Sequence, residues 1–111
     1  MKSKNQILSL MQILKTALHT HLGDNVKDVI LFGSQATGTA IKNSDFDILI
    51  ILKNNYDWKY RKQIIEIIYE IELEYDVLFD VHLISLYELK KTLKGTEPIY
   101  RNAINNGIHI E

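Results

Sequence analysis

Three observations predict an α/β (α+β) fold with a small mixed sheet of three or four strands. Segments whose apolar residues recur every three or four positions alternate with short runs rich in β-branched residues. Their order along the chain is αβ(α)βαβαα, which places helices over one face of the sheet. No internal repeat, low-complexity tract or linker-like stretch interrupts it, so residues 1–111 are expected to form a single domain, long enough to bury a real core.

The first helix carries Ile7, Leu10, Met11, Leu14 and Leu18 at helical spacing, and Gly23 is placed to cap its C-terminus. "VKDVILF", from Val26 to Phe32, is the first strand. "GSQATGTAIKNS" is small and polar, a turn with room for one helical turn inside it. "DFDILIILK" is the second strand, and its residues from Ile48 to Leu52 suit burial. Asp57 then caps a helix with Trp58, Arg61, Ile64, Ile65, Ile68 and Ile71 along one side.

In the third strand, "VLFDVHLI", Val77, Phe79, Val81 and Leu83 form a wholly apolar face. Leu78, Asp80, His82 and Ile84 form the other, so a strand with one clean core face presents an aspartate on its opposite side. "SLYE" is a capping box that starts a short helix ending near Gly95. Thr96 and Pro98 open the last helix, Gly107 stops it, and "IHIE" is expected to add a short final strand.

Hydrophobic residues make up 46% and charged residues 24%, an ordinary globular balance. A net charge of −1 supplies no strong field for a polyanion, so nucleic acid is not expected as a direct ligand. The absence of cysteine excludes disulfides and thiolate zinc sites and fits a reducing compartment. No apolar run approaches the ~20 residues that span a bilayer. "MKSKNQILSLMQ" lacks the apolar h-region of a signal peptide. A cytoplasmic protein without membrane attachment is the expectation.

The chemistry gathers around Asp45 and Asp47, which stand at the head of the apolar second strand. Residues i and i+2 of a strand point the same way, and two carboxylates so close repel unless a cation sits between them. An isolated Asp-x-Asp is most simply a solvated turn cap. The preceding loop favours another reading. Gly33-Ser34 directly after a strand lets the backbone turn sharply, so that its N–H groups and the Ser34 hydroxyl can face an anion, and Gly38 keeps the loop open. Asp80 could add a third carboxylate if its strand neighbours the second, and three acids around two divalent ions suit phosphoryl or nucleotidyl transfer.

Gly33-Ser34, ten residues, then Asp45-Phe46-Asp47 resembles the signature of the DNA polymerase β-like nucleotidyltransferase superfamily. The short chain and the ending "IYRNAINNGIHIE" are similar to its minimal nucleotidyltransferases (MNT), encoded in many prokaryotes beside a HEPN-domain protein. The resemblance implies a nucleotidyltransferase fold in which Gly33 and Ser34 hold the triphosphate of ATP. It also implies that Asp45 and Asp47 bind two Mg²⁺ ions, with Asp80 as the third acid that helps activate the attacking hydroxyl. Thr37 stands where many relatives have arginine, which leaves Lys42 as the only basic residue of the loop and the candidate for phosphate neutralisation.

His82 shares the Asp80 face and could orient a carboxylate or touch substrate, though a solvated strand histidine is the simpler expectation. His19 and His21 do not face one another on a helix, which speaks against a metal role. Tyr56, Trp58 and Tyr60 are expected to pack rather than stack on a base.

The resemblance implies an antitoxin that transfers AMP to a tyrosine of a HEPN-type ribonuclease toxin encoded nearby, since the chain has no residues to spare for an acceptor domain. Two alternatives stand beside it. One is an antitoxin that neutralises by binding alone, the other the catalytic subunit of a small-molecule nucleotidyltransferase. An edge strand or helix face leaves homo-oligomerisation open.

Overall fold

The computed structural model describes residues 2–42 and 44–111; Met1 and Asn43 lie outside them. In chain order the elements are α1 (Lys4–Leu22), β1 (Val26–Phe32), α2 (Ser34–Thr37), β2 (Phe46–Leu52), α3 (Trp58–Tyr75), β3 (Phe79–Ser85), α4 (Leu86–Lys91), α5 (Pro98–Asn106) and β4 (Ile108–His109). Short 3₁₀ turns at Gly23–Asn25 and Leu93–Thr96 join neighbouring elements.

The helix ends follow local chemistry. Ser3 and Gln6 form a reciprocal capping box ahead of α1, and Gly23 ends that helix at φ 60°, a conformation natural to glycine. The Asp57 carboxylate accepts the Tyr60 N–H at 2.9 Å to start α3, and Ser85 with Glu88 makes the second capping box. Before α5 the cap is Glu97 rather than Thr96. Thr96 belongs to the preceding 3₁₀ turn, where its hydroxyl donates to the Leu93 carbonyl at 2.7 Å.

The strand order is β3-β2-β1-β4, with β2 antiparallel to β1 and parallel to β3. A parallel neighbour requires a crossover, and α3 provides it. The mixed sheet and the α+β class are those the sequence predicts. Strand alternation divides the core in two. Val29, Leu31, Phe46, Ile48, Ile50, Phe79 and Leu83 meet α1 and α3 on one face. Ile30, Leu49, Ile51 and Ile84 meet Tyr100 and Ala103 of α5 on the other, with Leu86 and Leu89 of α4 at their margin. Helices over one face therefore describes only α1 and α3, because β2 is apolar on both sides and needs cover on both.

The α3 stripe is also shifted. Ile64, Ile67, Ile68 and Ile71 are buried, whereas Trp58 is 69% and Ile65 38% exposed. Tyr56 and Tyr60 do pack; the Tyr56 hydroxyl donates to the Leu83 carbonyl at 3.2 Å, and the Tyr60 hydroxyl accepts from the Asn25 amide at 2.7 Å.

The C-terminus is held by a histidine. His109 Nδ1 lies 2.6 Å from Asp28 Oδ2 on β1, and Nε2 lies 2.9 Å from the Ile104 carbonyl on α5. Both ring nitrogens can donate only in the imidazolium, so the Ile104 carbonyl first, and Asp28 with it, raise the His109 pKa above its usual value. A group whose pKa is raised by folding contributes stability that is full below its unfolded pKa and fades as pH climbs through the folded one. The melting temperature of the wild type is thus expected to decline across the range just above the ordinary histidine pKa. In Asp28→Asn that slope flattens, which paired thermal melts across the pH series will measure.

Candidate active site

The site forms where three elements end at the same rim of the sheet. β1 closes with Phe32, after which Gly33 adopts φ 72°, ψ −157° and hands the chain to the single turn of α2. In the antiparallel register Phe32 faces Asp47, and in the parallel register Asp47 faces Asp80. Two aspartates from different strands are thereby set side by side by backbone pairing alone.

The approach of Gly33 to Asp47 is close. A Cβ added at Gly33 would lie 2.2 Å from Asp47 Oδ2 and 3.1 Å from its Cγ. The absence of a side chain and the positive φ therefore serve one purpose, which is to bring the turn against the carboxylate. The N–H groups at the start of α2 precede the first intrahelical bonds, and Ser34 is half-buried beside them.

Among the described residues, Asp47, Asp80 and His82 each offer a donor atom, all within 4.8 Å of one another. His82 Nε2 is 3.4 Å from Asp80 Oδ2, and its ring lies 5.5 Å from that of Phe32 at a tilt of 55°. Burial lifts the Asp47 carboxyl above its usual pKa, and the facing Asp80 adds to the rise while His82 opposes it. Crowded carboxylates with an adjacent neutral-capable nitrogen fit a divalent cation, which would relieve the repulsion that the strands impose.

Not every candidate converges. Asp45 is exposed, one residue ahead of β2, and stands outside the three-donor cluster, although its charge still acts on Asp47. Lys42 lines a cleft of about 750 Å³ with Gln35, Phe46, Glu72 and Leu78, among others, and this cleft includes none of Asp47, Asp80 and His82. A smaller cleft of about 260 Å³ adjoins Gly33, between Thr37 on α2 and Ile99, Asn102 and Asn106 on α5. The Thr37 hydroxyl contacts that of Thr39 at 2.9 Å and so knits its own turn.

His82 departs from the solvated histidine that its sequence position suggests. Its side chain is 24% exposed. The signal available in sequence was its i+2 relation to Asp80; what sequence lacks is Phe32, delivered to the same face from two strands away.

The chain matches the family model for the nucleotidyltransferase domain over residues 10–108. It is 37% identical over 89 residues to a Methanocaldococcus jannaschii protein named "Putative protein adenylyltransferase", across 80% of this chain and 85% of that one. A second M. jannaschii protein of the same designation is 56% identical over 32 residues, 29% of this chain and 22% of its own length. Among solved structures, a toxin-antitoxin crystallised with AMP-PNP is similar at TM-score 0.59 and 21% identity, over 92% of this chain and 72% of that one. A mutant form of the toxin-antitoxin MntA-HpeT is similar at TM-score 0.57 and 19% identity, with the same coverage. The two structural likenesses establish a shared fold.

Proposed function

The chain belongs to the nucleotidyltransferase domain family, and from that premise we propose that it transfers AMP from ATP to a tyrosine hydroxyl of a partner HEPN-type ribonuclease toxin, and so acts as an antitoxin. The observation that carries the reading is the Asp47–Asp80 pair, set in register and closed on one side by Gly33. The designation of the M. jannaschii relative supports protein as the acceptor, and the toxin-antitoxin neighbours support a toxin as that protein.

Each residue of the site then has a role. Gly33 and the N–H groups at the start of α2 hold phosphate oxygens, with the Ser34 hydroxyl beside them. Asp47 and Asp80 are the acids that would hold Mg²⁺, with Asp45, whose charge acts on Asp47 from just ahead of β2, as the third. Lys42 faces a separate cleft and takes no role at the phosphates. A bound divalent cation supplies neutralisation of the phosphates and acidifies the attacking hydroxyl. Asp80, exposed at the rim, takes the phenolic proton. The tyrosine oxygen bonds to the α-phosphorus, the bond from that phosphorus to the bridging oxygen breaks, and pyrophosphate leaves. The negative charge that grows on the transferred group is met by groups already fixed in place.

Among the described residues no helix is long and apolar enough to cross a membrane. Co-expression with the product of the neighbouring gene, followed by intact mass measurement of both chains, tests the proposal. A partner heavier by one or more AMP units is expected. A tight, neutralised complex with unshifted masses would replace transfer by occlusion.

A further inference from the structure

We propose that His82 is a nitrogen ligand of the same centre, which makes it selective for a transition-metal cation such as Mn²⁺ over Mg²⁺. The inference rests on the nucleotidyltransferase reading and goes beyond its three acids. Its first ground is distance. His82 Nε2 and Asp80 Oδ2 are 3.4 Å apart, beyond the ~2.7–3.2 Å of a well-formed N–H···O bond. Two donors on one ion, each ~2.0–2.2 Å from it, stand roughly 3.0–3.5 Å apart. The observed spacing falls inside that range, so the two atoms are placed to share one ion.

The second ground is preorganisation. His82 leaves β3 on the Asp80 face, and the tilted Phe32 ring at 5.5 Å confines its imidazole beside the two carboxylates. The third is convergence, since the donor atoms of Asp47, Asp80 and His82 all lie within 4.8 Å of one another. Mg²⁺ strongly prefers oxygen donors, whereas first-row divalent ions accept an imidazole nitrogen, with Mn²⁺ the first of that series and later ions binding it more tightly still. His82 would bind through an unprotonated Nε2, with the ring proton on Nδ1.

The chain is titrated with Mn²⁺ and followed by electron paramagnetic resonance, with Mg²⁺ as the competitor. Pulsed measurements then look for ¹⁴N coupling to the bound ion. The expected result is ¹⁴N coupling in the wild type that disappears in His82→Gln. Mn²⁺ affinity should fall on the order of 10-fold in that variant, with a smaller change for Mg²⁺. Mn²⁺ bound to the wild type without ¹⁴N coupling would overturn the role of His82 and leave the acidic centre standing. Mn²⁺ bound equally well by the wild type and by Asp80→Asn would overturn the centre itself.

Discussion

Asp47→Asn is expected to lower nucleotide transfer on the order of 10³-fold while leaving the protein folded and at least as heat-stable as the wild type. The loss follows from position. Asp47 sits between Gly33 and Asp80, and an amide of the same shape removes a charged donor at the place where the phosphates must be held. The stability follows from the same crowding. The Asp47 carboxyl has a raised pKa, so its ionised form is disfavoured by folding and works against the native state at neutral pH. Asparagine carries no charge to repel Asp80, so the melting temperature should hold or rise. Radiolabel transfer and thermal melts on one preparation separate the two effects. A variant that lost activity through unfolding would contradict this account.

Gly33→Ala is expected to destabilise the fold by about 1–3 kcal/mol and to abolish transfer. The added methyl would meet Asp47 Oδ2 at 2.2 Å and its Cβ at 3.3 Å, while a φ of 72° strains any L side chain. Asp47 is carried on a strand paired on both sides, so relief comes by turning its carboxylate away from Asp80 or by lifting the loop. Gly38 is the internal control. Its φ is 79°, yet a Cβ there meets nothing within 4 Å. Gly38→Ala should therefore cost only the left-handed strain, about 1–2 kcal/mol, and retain most activity. Chemical denaturation of both variants, with transfer assayed under native conditions, distinguishes steric intrusion from backbone strain.

Local signals were legible where a side chain acts on its own backbone. Val26–Phe32 reads as a strand because its β-branched residues declare it, and Ser85 with Glu88 announces a helix start by capping chemistry. The turn at Ser34–Thr37 follows from Gly33 and Gly38. Partners across space are another matter. That Asp47 faces Asp80 depends on β2 and β3 being parallel neighbours, and alternation within either strand says nothing about that. The second covered face escaped for a related reason. α5 is short and brings only Tyr100 and Ala103 to burial, too few to show which side of the sheet they meet. Trp58 and Ile65 lie at the margin of the α3 stripe, where helical spacing alone does not separate core from surface. Gly33-Ser34 and Asp45-Phe46-Asp47 stood out in the sequence because close backbone approach and paired acids each demand particular residues.

On the proposed function, the Asp47–Asp80 centre moves an adenylyl group onto a partner protein. The chain, its co-purified partner and a divalent cation are incubated in parallel with ATP labelled at the α- or the γ-phosphate, and protein-bound label is counted. Label from the α position alone, on the partner, and lost in Asp47→Asn is the predicted result. Label from the γ position, or α-label undiminished in Asp47→Asn, would contradict the account.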